Sequence, residues 1–325
     1  MLTNSQRPFG GSRIVLLGDW AQIPPVIKGG SRPSIVDASF KKSALWNSFT
    51  SMHLTQPICN ASDPHFATWV DSLADNEDPL HVPIPTDLIH TCTDREDIID
   101  FVFPTPILSN PFQASMRSII CPLNIQVTEY NNRILSQLEG EERIYYSTDS
   151  VVEDNVDAND NPMADIDHLN SMHLPGIPDH ELHLKVNCIC VLTCNFNIEK
   201  NLTKNTKVVI TELGNRVIVA KLLQPSPHSN DNTILLPRID FLHFLPHEGW
   251  TVRRRQFPLR LAYASTINSA QGLTLARIGI DCTHPVFTHG QLYTAFSRVP
   301  HASNCLIRTP PSATSIVNIV YSELL

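Results

Sequence analysis

Arg298 is the residue of this 325-residue chain whose type and position most directly suggest chemistry. A guanidinium stays charged at any physiological pH and grips phosphate through a planar fork of donors. It closes residues 259–299, LRLAYASTINSAQGLTLARIGIDCTHPVFTHGQLYTAFSRV. The first part of this stretch is apolar and free of turn residues, which predicts a buried parallel strand ending on small and polar residues at Ala262, Ala264, Thr266 and Asn268. A tight turn is expected at Gln271-Gly272, then a second strand from Arg277 to Asp281, and then a helix carrying Gln291, Tyr293, Ser297 and Arg298. Ligands of open α/β sheets bind beyond the carboxyl ends of the strands. The segment therefore predicts a site for a phosphate-bearing ligand, a nucleotide.

A second polar edge is expected near the start of the chain. Residues 13–17, RIVLL, read as a buried strand that ends at Gly18-Asp19 and runs into a loop stiffened by Pro24-Pro25. Asp19 and Gln22 would then face a ligand shared with Arg298; alternatively, Pro24-Pro25 is a rigid turn and Gln22 a surface residue. A third candidate is Arg253-Arg254-Arg255, followed by Arg260. The net charge is −8, so no global field draws the chain to nucleic acid, and any polyanion must be met by a local patch of this kind. An exposed basic turn is the alternative use of the same residues.

The elements that must position these groups follow from composition and periodicity. Hydrophobic residues make up 42% of the chain, enough for two or three modest domains with real cores. No run of 18 apolar residues is present and residues 1–13 hold no apolar signal core, so no membrane span or secretory leader is expected. Eight scattered cysteines suit reduced thiols of a cytosolic or nuclear protein. Cys188, Cys190 and Cys194 read as core thiols on one strand face, or as part of a zinc site lacking a matched second pair. Residues 35–46 predict an amphipathic helix with Ala38, Leu45 and Trp46 as core, and residues 63–77 predict a helix with Phe66, Trp69, Val70 and Leu73 inward. Proline punctuates the chain before a helix near 94–103. A strand over 118–122 and a helix over 124–140 follow. Tyr145 and Tyr146 could stack on bases or pack within a strand. Residues 152–161 form an acidic, asparagine-rich loop. The shared parity of Leu184, Val186, Cys188, Cys190 and Leu192 predicts one strand, with shorter ones at 207–210, 216–222 and 233–236.

Three stretches, PFGGSRIVLLGDWAQIPPV, TINSAQGLTL and HGQLYTAFSRV, resemble consecutive motifs of the PIF-type (petite integration frequency) DNA helicases, particularly those carried by Helitron transposons. The resemblance implies an α/β, RecA-like P-loop NTPase helicase fold of superfamily one. Residues 1–75 would be the C-terminal part of a first RecA-like domain, 76–183 and 256–325 a second, and 184–255 an inserted small β-barrel with a basic return segment. It also implies ATP and Mg2+ as cofactors, single-stranded DNA or DNA junctions as partners, and unwinding in the 5′ to 3′ direction in repair, recombination and telomere maintenance. A nuclear or mitochondrial location would follow. On this likeness Gln22 senses the γ-phosphate and Arg298 reaches it from the second domain. Asp19, Gln271 and Gly272 couple the nucleotide to DNA, and Thr266, Asn268, Thr274, Arg253, Arg254 and Arg255 hold DNA.

The sequence departs from that family at several points. Pro57 and Cys59 stand where asparagine and arginine are expected, Ser269 where lysine is, and Asn187 and Asn205 where glycines are. Asn205 tolerates the left-handed conformation better than most residues. The 325 residues hold neither the Gly-Lys of a phosphate-cradling loop nor an Asp-Glu pair for magnesium. In relatives both lie upstream of residues 13–17, so the chain is expected to begin inside the first domain, with a protein partner covering what is exposed. The chain alone is predicted not to hydrolyse ATP. The alternative is a non-catalytic nucleic-acid-binding or interaction remnant.

Overall fold

The computed structural model describes residues 8–54, 62–75, 81–152, 166–223, 232–246 and 248–325. The chain divides into two compact units, one comprising Met1–Phe101, Ile119–Asn124 and Ser265–Leu325, the other Val102–Ser118 and Ile125–Ala264. Among the described residues no helix is long and apolar enough to cross a membrane. The acidic run expected over 152–161 lies, beyond Val152, outside the described residues.

The first unit is α/β. Its central sheet has the strand order Ala264–Thr266, Arg117–Cys121, Arg277–Asp281, Cys305–Arg308, His90–Cys92, and the last three run parallel. Parallel strands are covered on both faces and so read as continuous apolar runs. Ile278, Ile280, Cys305 and Ile307 satisfy this, none more than 1% exposed. The Pro64–Asp75 helix lays Phe66, Val70 and Leu73 into this core, as its spacing predicts, and the Trp69 ring meets Phe296 edge-on at 4.7 Å. Phe296 ends the Gln291–Phe296 helix, so the element that precedes Arg298 is anchored in the same core.

Three expectations for this unit require correction. Residues 13–17 are in no strand; Val15 and Leu17 are 80% and 88% exposed. Without a flanking ladder, an apolar run has no face to bury. Residues 35–46 do not form one helix. Arg32–Asp37 is helical, and Ser39 then accepts a hydrogen bond from the Lys41 amide and starts a separate 3-10 turn at Phe40–Lys42. Serine favours such caps over helix interiors, and Ala38 and Leu45 are left exposed. Finally, the run from Leu259 is not a single parallel strand. Leu259–Leu261 pairs antiparallel with Ile189–Leu192, while Ala264–Thr266 joins the other sheet. The break has a visible cause: the Asn131 amide oxygen accepts from both the Tyr263 and Ala264 amides, at 3.0 and 2.9 Å, where a ladder would otherwise continue.

The second unit is mainly antiparallel. Five strands follow the order Thr233–Pro237, Val217–Leu222, Lys207–Leu213, Ile189–Leu192, Leu259–Leu261. Three more, Ile239–Leu245, Trp250–Gln256 and Thr148–Val152, form a separate sheet. The single strand expected over 184–192 is interrupted, because Asn187 turns the chain at φ 68° between Glu181–Leu184 and Ile189–Leu192. Asn205 likewise sits at φ 69°. Asparagine is among the few non-glycine residues that enter this region readily. Cys188 and Cys190 are buried side by side, sulfurs 3.8 Å apart. Tyr145 packs inward against Phe257 and donates to the Gly214 carbonyl, whereas Tyr146 faces solvent.

Candidate nucleotide-coupling site

In the first unit the loop after residue 18 lies against the segment 265–298, and the polar residues singled out in both meet there. Asp19 organises the loop. Its Oδ1 accepts from the Ala21 amide and its Oδ2 from Gln22 Nε2, each at 3.0 Å, which is a side-chain-closed turn. Tyr293 reaches the same Oδ2 with its hydroxyl at 3.1 Å, and Gln271 Nε2 donates to Gln22 Oε1 at 3.3 Å. Burial, and then the neighbouring Asp19 carboxylate, push the Tyr293 hydroxyl above the usual phenol range, so it acts as a donor to that carboxylate. Asp19, Gln22, Gln271 and Tyr293 thus form one network across two segments some 250 residues apart in sequence, as the Gln271–Gln22 separation of 249 shows.

Two further residues fix how the segments meet. Gly290 precedes the Gln291–Phe296 helix with φ 71°, and a β-carbon there would lie 2.3 Å from the Ala21 carbonyl oxygen. Only glycine fits such an approach. His289 is fully buried; its Nε2–H donates to the Trp20 carbonyl and its Nδ1 accepts from the Tyr321 amide, both at 2.8 Å. Burial holds its pKa below the ordinary imidazole value, consistent with the neutral tautomer that this pairing requires. The motif HGQLY marked this place in the sequence, but periodicity assigned no task to His289 or Gly290.

The other expected site residues fall nearby with distinct roles. Thr266 caps the short Ile267–Ala270 helix by accepting from the Ser269 amide, and its hydroxyl pairs with that of Ser269 at 2.9 Å. Asn268 belongs to this helix, and its Oδ1 accepts from the side-chain Nε2 of the buried Gln291 at 3.1 Å. Gly272 makes the expected turn at φ 80°, and Thr274 is exposed after it. Arg298 is drawn inward. Its Nε donates to the Thr294 carbonyl at 2.8 Å, Nη1 to the Leu273 carbonyl at 3.2 Å, and Nη2 to Ser297 Oγ at 2.6 Å. A reach toward phosphate would require exchanging these partners. Pro57 and Cys59 lie outside the described residues.

Asp19 already accepts three hydrogen bonds, and among the described residues no three His, Cys, Asp or Glu side chains converge as a metal site.

The arginine cluster needs one correction. Residues 253–255 lie within the Trp250–Gln256 strand, so their side chains alternate. Arg253 and Arg255 face solvent. Arg254 is fully buried: it donates to Asp149 Oδ2 from both Nε and Nη2, at 2.9 and 2.7 Å, and to the carbonyls of Leu169, Met172 and Pro178. It holds the unit together and cannot meet DNA.

Comparison with known proteins gives a consistent result. The family model described as PIF1-like helicase matches residues 1–75. A curated relative, the ATP-dependent DNA helicase PIF1 of Danio rerio, is 24% identical over 91% of this chain and 40% of its own length. The Pif1 helicase of Campylobacter jejuni is 26% identical over 94% of this chain and 64% of its own. The chain thus spans about two fifths of the length of the vertebrate relatives it matches. Among solved structures, the Candida albicans Pif1 helicase aligns with a TM-score of 0.60 at 21% identity, covering 93% of this chain and 66% of that one. The Bacteroides Pif1 helicase in complex with ADP-AlF3 and ssDNA aligns at 0.61 and 21%, covering 99% and 66%. These likenesses bear out the PIF-type resemblance read from the motifs, and they show that the α/β fold is that of Pif1 helicases.

Proposed function

We propose that this chain is the coupling and DNA-holding portion of a PIF1-type ATP-dependent DNA helicase, and that by itself it does not turn over ATP. The observation that carries the reading is the Asp19–Gln22–Gln271–Tyr293 network, which joins the loop expected to sense a γ-phosphate to the segment expected to hold DNA. A change at either end is transmitted through four side chains already in contact. The domain scheme belongs to this proposal: residues 1–75 in one RecA-like domain, 76–183 and 256–325 in another, and 184–255 as an inserted small barrel. So do single-stranded DNA as ligand, 5′ to 3′ polarity, a part in repair, recombination and telomere maintenance, kinship with Helitron helicases, and a nuclear or mitochondrial site of action. ATP would supply the phosphate whose presence the network reports, with Gln22 and Arg298 as the residues expected to answer it.

ATPase and anisotropy measurements on the 325-residue chain test this reading. Single-stranded DNA binding without DNA-stimulated ATP hydrolysis is the expected result. Stimulated turnover that Arg298→Ala abolishes would overturn the prediction of inactivity. A second reading, a nucleic-acid-binding remnant with no nucleotide response, is favoured by the inward engagement of Arg298. It separates cleanly from the first: DNA affinity unmoved by ATP or ADP supports the remnant, and affinity that shifts with nucleotide supports coupling.

A further inference from the structure

The three-stranded sheet of the second unit has one covered and one open face. Phe241, Trp250, Val252, Arg254 and Asp149 point to the covered side. The open side is specified by strand register. Leu242 lies opposite Arg253, which lies opposite Ser150; Phe244 lies opposite Thr251, with Val152 beyond; and Asp240, Arg255 and Thr148 form the third row. Successive rows on one face are about 7 Å apart.

Two features make this face unusual. Leu242 and Phe244 are 63% and 58% exposed, neighbouring large apolar side chains on one strand. They sit beside two arginines held in different ways. Arg253 donates through Nε to Ser150 Oγ at 3.1 Å, a bond that orients its exposed guanidinium. Arg255 lies 4.0 Å from Asp240, the acidic residue of this face, an exposed and weakly held pair. An apolar ligand would leave the Arg253 charge unanswered, and a simple polyanion would gain nothing from Phe244. A chain with a phosphate and a flat base at each step uses both.

We propose that this face is a binding platform for single-stranded nucleic acid, with Phe244 and Leu242 as the stacking surface and Arg253 and Arg255 as the phosphate contacts. It rests on the DNA-holding reading above and adds Leu242 and Phe244 of the adjacent strand, two uncharged residues that lie outside every motif. Bases stack on the exposed ring of Phe244 while the backbone crosses toward Arg253. Recognition is tolerant of sequence, since stacking uses a face that every base has.

Fluorescence anisotropy with a fluorescein-labelled oligothymidylate, and with an abasic phosphodiester of equal length, tests the platform on the full chain. Phe244→Ala is expected to weaken oligothymidylate binding about tenfold and to leave abasic binding unchanged. Arg253→Gln is expected to weaken both and to lower the salt slope by about 0.7. Both side chains are exposed, and unchanged thermal melting confirms that the variants fold. If the chain binds oligothymidylate and neither variant alters it, the platform is wrong while the DNA-holding reading stands. Loss with Arg253→Gln but not with Phe244→Ala overturns the stacking assignment. If the unaltered chain binds no single strand, both readings fail. Self-association that Phe244→Ala abolishes, without an effect on DNA, would instead make this face a protein contact.

Discussion

Residues 13–19 and 277–281 are close in composition: Arg-Ile-Val-Leu-Leu-Gly-Asp and Arg-Ile-Gly-Ile-Asp. The second lies third in a five-stranded sheet, with Ile278 and Ile280 out of water. The first has no ladder, and Leu17 is 88% exposed. An apolar run acquires a buried face only from its neighbours, so composition states what a strand can do and the partners decide whether it does. The loop that follows the unpaired run is nevertheless held, because Asp19, Trp20 and Gln22 are hydrogen-bonded by Tyr293, His289 and Gln271.

That contrast can be broken experimentally in steps of decreasing size. Ile280→Ala removes methyl groups from a closed core and is expected to cost about 2–5 kcal/mol in urea unfolding, whereas Leu17→Ala is expected to stay within about 0.5 kcal/mol. Equal effects would mean that residues 13–17 are buried in solution. Gly290→Ala places a β-carbon against the Ala21 carbonyl and forces a left-handed alanine, a strain of about 1–3 kcal/mol. Hydrogen exchange of the Gln22 amide, which donates to the Asp19 carbonyl, is expected to quicken at least tenfold. Unchanged exchange there would show that the loop does not depend on this approach. The smallest effect is expected at His289. Its folded-state pKa lies below the ordinary value of 6.5, so the unfolded chain takes up the proton first. Its contribution is complete above about pH 6.5 and declines as pH falls through the window between the unfolded and folded values. Thermal melts between pH 7.5 and 5 should show this decline, and His289→Gln should flatten it.

Most of the α/β frame was legible in the sequence. The helix with Phe66, Val70 and Leu73, the Arg277–Asp281 strand and the Gly272 turn all follow from spacing and from glycine chemistry. The sequence put Asp19 and Gln22 on a ligand shared with Arg298; in the structure the two share a network with Gln271 and Tyr293, while Arg298 is engaged by Thr294, Leu273 and Ser297. What could not be read depends on distant partners. The break at Tyr263 requires Asn131, 132 residues away, and the unpaired state of residues 13–17 depends on strands that are not beside it. Arg254 is an intermediate case. Alternation with Val252 could have placed it inward, but an arginine on the core side is expected only where a carboxylate waits, and Asp149 lies 105 residues earlier.

The buried Arg254 also constrains how the second unit can assemble. Its guanidinium gathers a carboxylate at 149 and carbonyls at 169, 172 and 178 around a strand at 250–256. Until all of these have arrived, closing the strand strands a charge in a dry interior, and until the strand arrives, the carboxylate is left there alone. A half-built version is worse than either extreme. One cation thereby ties together segments at 149, 169–178 and 250–256 that are distant in sequence.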